Sequence, residues 1–352
     1  MTLADRLAAR IRADGPLTVA DYMAEALLHP TLGYYTTRDP LGAAGDFTTA
    51  PEISQMFGEC LGLCLAQAWL DQGRPDPVVL AELGPGRGTL MADAARAMAR
   101  VPGLATALRV HLVEASPTLR ARQAEALAHL SPTWHDTVDD LPEGPTLLLA
   151  NEFLDALPIR QFQRDGDGWA ERVVALQDGA LAFALAPAAP RPELERLDAP
   201  EGRLVEICPA LPGIVGAVGA RVALGGAAIF VDYGHWRSAG DTLQALRGHA
   251  PVDPLDAPGS ADLTAHVDFE AVARAAAPAQ PSAMVAQGLL LERLGITARA
   301  QALARGLSGA ALDAHVAAHR RLTHPAEMGD LFKAIALVPT DAPLPPGFAP
   351  PP

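Results

Sequence analysis

Residues 81–90, AELGPGRGTL, place an acid, Glu82, two positions ahead of three closely spaced glycines, Gly84, Gly86 and Gly88, with Pro85 and Arg87 between them. The stretch closes an apolar run of strand length, PVVLAEL. A ligand that lies against the main chain at the carboxyl end of a strand needs bare backbone, because a Cβ would hold it away. Two ligand classes use such a loop. A dinucleotide asks for Gly-x-Gly-x-x-Gly, whose third glycine would fall at position 89, and the residue there is Thr89. That register fails, and a nicotinamide-dependent oxidoreductase fails with it. S-adenosylmethionine carries an ammonium and a carboxylate but no pyrophosphate, so Glu82 and the loop N–H groups suit its amino-acid end.

Further acids follow the next strand-like runs. Glu114 ends LRVHLVE, where a carboxylate can accept both hydroxyl protons of a ribose. Asp136 ends the third run beside Trp134; it is placed to accept from an adenine amino group, with the indole as a stacking face. Acids after successive strands are a stronger signal than a lone glycine motif.

The elements that must hold these residues read as follows. The runs PVVLAEL, LRVHLVE, PTWHD and PTLLLANE, with Ala- and Leu-rich helical stretches between them, predict a right-handed parallel sheet. RQFQR, WAERVVALQ and ALAFALAP are separated by DGDG and DG, the turn chemistry of hairpins, and predict an antiparallel meander. A helix near 209–224 leads to the buried strand AAIFVDYGH. A proline-rich loop at 250–260 enters ADLTAHVDFEAVARAAA, read as a helix; helices from about 297 to 323 and a last strand, LFKAIALVP, complete the chain. Residues 1–75 read as a mostly helical lead-in without a core of its own.

The composition sets limits. A net charge of −14 without any Lys/Arg run argues against nucleic acid as a partner. No run of about 20 apolar residues is present to cross a bilayer, and the amphipathic MTLADRLAARIRADGP lacks the apolar segment of a signal peptide. Three cysteines, Cys60, Cys64 and Cys208, form neither a disulfide nor a metal pattern, and Cys60 and Cys64 read as small core side chains. His315 and His319 have helical metal-ligand spacing but no accompanying Glu, so no metal is expected. The expected setting is the cytoplasm of a bacterium.

Several longer stretches carry a specific resemblance. GDFTTAPEISQMFGE, ELGPGRGTLMADAARA, LVEASPTLRARQ, NEFLDALPIRQF, VEICPA, FVDYGH, DPLDAPGSADLTAHVDFEAV, QGLLLERLGI and HPAEMGDLFKAIAL occur in family order from about residue 15 to 340. Together they resemble the MidA-type methyltransferases, whose mitochondrial members assist assembly of respiratory complex I. The resemblance implies a class I S-adenosylmethionine-dependent methyltransferase: an α/β, Rossmann-like sheet with an N-terminal helical region and inserted β-meander and helical elements. The expected division is a lead-in or lid over 1–75, a methyltransferase domain over 76–340 with insertions at about 160–205 and 236–325, and a proline-rich tail over 341–352.

The implied reaction is arginine methylation on a core subunit of complex I; the alternative is a non-catalytic assembly chaperone that still binds the donor. A guanidinium is planar and positive, so carboxylates must hold it and accept the proton released on methylation. Glu152 and Asp155 of NEFLDALP, with Asp232 of FVDYGH, are the candidates for that work, and Asn151 is placed with the donor. Tyr233, His235 and His266 are expected to line the channel for the protein substrate. Asp46 and Phe47 are expected in a segment that closes over the donor.

Overall fold

In the computed structural model, which describes residues 1–37, 49–195, 197, 199–237 and 240–351, the apolar runs form one main sheet. Its longer strands are β1 (Val78–Leu83), β2 (Leu108–Val113), β3 (Thr133–His135), β4 (Thr146–Asn151), β5 (Gly226–His235) and β6 (Phe332–Val338). The spatial order is β3-β2-β1-β4-β5-β6. The first five run parallel and β6 is antiparallel to β5. Every residue of β1 and β4 is buried, as unbroken apolar runs require in a sheet covered on both faces.

Register decides which residues meet. Leu83 pairs with Val113 and with Ala150, His135 with Val113, and Val231 with Asn151. The carboxyl ends of β1 to β4 are therefore level, and the residues that follow them, Gly84, Glu114, Asp136 and Glu152, line one edge of the sheet together with Asp232, which follows the Val231 pairing within β5. This is the edge at which parallel α/β sheets bind ligands.

The chain divides into two compact units. The unit containing the main sheet comprises Thr48–Leu154, Pro212–Trp236 and Phe269–Pro352. In it the helix Gln55–Asp71 is buried on most sides and packs on the helix Thr89–Met98. A Cβ at Gly62 would stand 2.7 Å from the Ala94 Cα, so only glycine permits this approach. Cys60 and Cys64 are buried in the same core, and desolvation pushes both thiols up to about 12, as inert core side chains require. Glu59, also buried, accepts from Arg96 and from both Nε and Nη2 of Arg299, which pins the helix Ile296–Ala304. The proline-rich end is docked within this unit: the Ala349 carbonyl accepts from Ala283, and that of Gly347 from Arg293.

The other unit comprises Met1–Phe47, Asp155–Leu211 and Arg237–Asp268. Its meander is antiparallel, as the turn residues predict: Gly168–Gln177 pairs with Ala180–Leu185 across the two-residue loop Asp178–Gly179, both at positive φ (52° and 86°). The residues read as one lead-in are shared between the units, and the first of them pack into a core completed by later segments of the chain. Leu3, Leu7, Tyr22, Met23 and Leu27 pack with Ile159, Val174 and Leu263. Leu17–Thr18 is a short strand on Val173–Val174, and Thr18 caps the helix Val19–Leu28 by accepting from the Asp21 amide.

The reading of ADLTAHVDFEAVARAAA as one helix is corrected: Asp262–Thr264 is a strand on Gln244–Arg247, and only Phe269–Ala275 is helical. A β-branched residue at Thr264 and a free partner edge outweigh the alanine content.

Candidate functional site

The loop after β1 turns through three left-handed glycines, Gly84 (φ 60°), Gly86 (53°) and Gly88 (85°). Their conformation alone excludes side chains at little cost. A Cβ on Gly84 would also lie 2.9 Å from the Phe153 ring. The Gly88 carbonyl accepts from Ala92, opening the helix Thr89–Met98 directly out of the loop. Pro85 sits inside the turn, its carbonyl accepting from the Gly88 amide.

Glu82 is 3% exposed, and burial, reinforced by the charge of Glu114, pushes its carboxyl up to about 8 against one favourable backbone hydrogen bond from Met91. Its Oε2 has no hydrogen-bond partner, and neither has the buried Oδ1 of Asn151. Buried acceptors left unmatched are costly, and the two stand on the neighbouring strands β1 and β4. They fit a ligand that presents an ammonium or other donors to this edge, which is what the amino-acid end of S-adenosylmethionine carries.

Glu114 is buried, and burial raises its pKa while hydrogen bonds from Ser116 and Gln123 pull the other way. Its Oε1 accepts from the Ser116 amide (2.8 Å) and its Oε2 from Gln123 Nε2 (3.1 Å). A carboxylate has about four acceptor positions, and the protein does not fill them all, which leaves room to accept from a ribose hydroxyl. Trp134 is half-buried and donates its Nε1 to Gln123 Oε1 at 2.8 Å. Asp136 is exposed, its side chain 83% accessible, and is held by Arg120 Nη2 at 2.5 Å. Arg120 also donates to the carbonyls of Glu114 and His135 (2.7 and 2.9 Å). Arg120 and Gln123 were not among the residues singled out from sequence. The signal was present in LRARQ, two polar residues three apart on a helix that follows an acid-ended strand.

Asn151 ends β4 and Glu152 follows it. Glu152 adopts φ 50°, a left-handed conformation uncommon outside glycine, and its amide donates to the Val231 carbonyl. Its Oε1 accepts from the Ala50 amide (3.2 Å) and from Asn151 Nδ2 (3.1 Å). Arg160, the basic residue closest after Glu152 in the chain, is committed to Glu171 through Nε and Nη2 (2.7 and 2.5 Å). Ala50 belongs to the short helix Ala50–Ile53, whose Glu52 accepts from Thr89 at 2.5 Å.

Asp232, 1% exposed, accepts from the amides of Phe153 (3.2 Å), Leu154 (2.9 Å) and Tyr233 (2.9 Å). These contacts make it a holder of the NEFL turn. Tyr233 packs edge-on against Phe332 in the core, and His235 is exposed at the end of β5.

Asp155 and His266 belong to the other unit. There Asp155 is buried and its carbonyl accepts from the amide of Ala265, one residue before His266. The His266 amide donates to Thr242 Oγ1 at 2.8 Å. Asp46 and Phe47 lie outside the described residues. His315 and His319 have protein partners, the Ala300 carbonyl and Thr297.

Known proteins match the chain over nearly its whole length. Residues 60–285 match the family described as "Putative S-adenosyl-L-methionine-dependent methyltransferase". The mitochondrial protein arginine methyltransferase NDUFAF7 of Danio rerio is 38% identical over 95% of this chain and 86% of its own length. Its Mus musculus counterpart is also 38% identical, over 94% and 83%. A crystal structure from Burkholderia thailandensis, bound to S-adenosyl-homocysteine, superposes with a TM-score of 0.82 at 34% identity, covering 96% of this chain and 91% of that one.

The relatives overturn the expected bacterial cytoplasm, since these curated proteins are mitochondrial. No helix among the described residues is long and apolar enough to cross a membrane. The cofactor is S-adenosylmethionine and the fold is that of class I methyltransferases. With the glycine loop, its level row of strand-end acids and these matches in hand, the chain belongs to the MidA-type family of S-adenosylmethionine-dependent methyltransferases.

Proposed function

We propose that this chain methylates an arginine of a protein substrate, a core subunit of respiratory complex I in assembly. The observation that carries the reading is Glu152, a carboxylate in a left-handed conformation at the strand edge that also bears Asn151 and the glycine loop. Backbone strain of this kind costs on the order of 1–3 kcal/mol and concentrates at functional sites. The relatives named as protein arginine methyltransferases supply the acceptor.

In this reading Glu82 and Asn151 hold the amino-acid end of the donor, with the N–H groups of the Gly84-Pro85-Gly86-Arg87-Gly88 loop. Glu114 takes the ribose, while Trp134 and Asp136 flank the adenine. The bound donor supplies a methyl group on a sulfonium. Glu152 orients the guanidinium, localises its charge and accepts the released proton. Asp232 serves by fixing the amides of Phe153 and Leu154, which follow Glu152 in the chain. His235, exposed at the end of β5, contacts the protein substrate.

The test is incubation of the purified protein with labelled donor and an extract containing complex I assembly intermediates, followed by mass spectrometry of labelled peptides. Methylarginine in a complex I core subunit is expected. A preparation that binds S-adenosylhomocysteine normally but labels no arginine would overturn the enzyme reading in favour of a donor-binding chaperone.

A further inference from the structure

The helix Pro117–Ala126 starts just after the Glu114 strand end and is mostly exposed. Only Leu119 and Gln123 of it are buried, and Gln123 is 0% exposed. Burying a primary amide is unfavourable unless its hydrogen bonds are made. Those of Gln123 go to three different parts of the donor site. Nε2 donates to the Gly86 carbonyl at 2.7 Å and to Glu114 Oε2 at 3.1 Å, and Oε1 accepts from Trp134 Nε1 at 2.8 Å. The amide has one possible orientation, because the indole can only donate, whereas a carbonyl and a carboxylate accept. One buried side chain thus links the glycine loop, the acid after β2 and the aromatic residue of β3.

We propose that Gln123 is a positioning residue of the donor site, acting through Glu114 and the Gly86 carbonyl with the Trp134 indole as its anchor. It occupies one acceptor position on Glu114 and directs the remaining ones outward. It also holds the loop at Gly86, a turn whose left-handed glycines offer little rotational resistance. By contrast, Arg120, three residues earlier, grips mainly backbone carbonyls and the exposed Asp136, so it orders the strand ends without touching Glu114's carboxylate. The proposal rests on Glu114 as the ribose acid and is independent of the acceptor substrate.

The test is a double-mutant cycle read by calorimetry with S-adenosylhomocysteine, using Gln123→Met, Glu114→Gln and the double variant, with a melting temperature for each. Gln123→Met is expected to weaken binding at least about tenfold in the native background and less than about threefold beside Glu114→Gln, since interacting residues are non-additive. The Trp134 emission, obtained by subtracting the spectrum of Trp134→Phe, should shift in Gln123→Met, because the indole N–H loses its acceptor. Unchanged affinity in Gln123→Met, or equal losses in both backgrounds, would overturn the proposal. Unchanged affinity in Glu114→Gln alone would instead remove Glu114 from the ribose. Should Gln123→Met not fold, Gln123→Glu keeps the size and the acceptor for Trp134 but sets a like charge beside Glu114. It too is expected to lose at least about tenfold in affinity, and full affinity in that variant would refute the role.

Discussion

Glu82 offers the sharpest test of how the donor is held. Burial disfavours the charge and pushes its carboxyl up to about 8. At pH 7 the free protein therefore carries this group about 90% protonated, one pH unit below its pKa. Pairing with an ammonium requires the ionised form, so binding S-adenosylhomocysteine at pH 7 should release about 0.9 proton. The linked affinity should rise about ninefold between pH 6 and 7 and about fivefold between pH 7 and 8, then level off. Calorimetry in phosphate and in Tris, whose ionisation enthalpies differ, counts the protons. Glu82→Gln should abolish the release and weaken binding at pH 8 by at least about tenfold, the loss of one charge-assisted hydrogen bond. Methylthioadenosine, which lacks the amino-acid end, should release none. Proton release of zero with S-adenosylhomocysteine, or equal release with both ligands, would refute the placement of Glu82 against the ammonium. The same shift has a stability sign. The group is raised from 4.5, so its contribution to the unliganded fold is fully present below pH 4.5 and is lost as pH rises through about 8.

Three further outcomes are expected. Glu152→Gln should keep donor affinity and lower single-turnover methylation at least about tenfold; full turnover would refute the role of Glu152. Glu152→Gly should melt higher than Glu152→Gln, because glycine relieves the φ of 50°; equal melting temperatures would mean the conformation is not strained. Gly86→Val, at φ 53°, should abolish binding of S-adenosylhomocysteine. A folded variant with native affinity would take this loop out of the site.

What residue order alone determined was local. The acid and glycines of AELGPGRGTL, the apolar runs and the DG hairpin turn each depend on near neighbours, through backbone sterics, periodicity and turn chemistry. The same locality made Glu114 legible as a strand-end acid, and it pointed to the donor through the failure of the dinucleotide spacing at Thr89. What only the tertiary structure decided was pairing across distance. The level register of β1, β2, β4 and β5 brings residues tens of positions apart to one edge. Whether Arg160 would neutralise Glu152 or lie on Glu171 depended on strand partners. Asp232 looked like a free acid until the amides of Phe153 and Leu154 were seen to fill it. The strand at Asp262–Thr264 overrode an alanine-rich helical pattern because the Gln244–Arg247 edge was there to pair with it. Gln123 was hidden for the same reason. The polar spacing in LRARQ marks its helix face but not its partners, and Gly86, Glu114 and Trp134 become neighbours only when three strand ends converge.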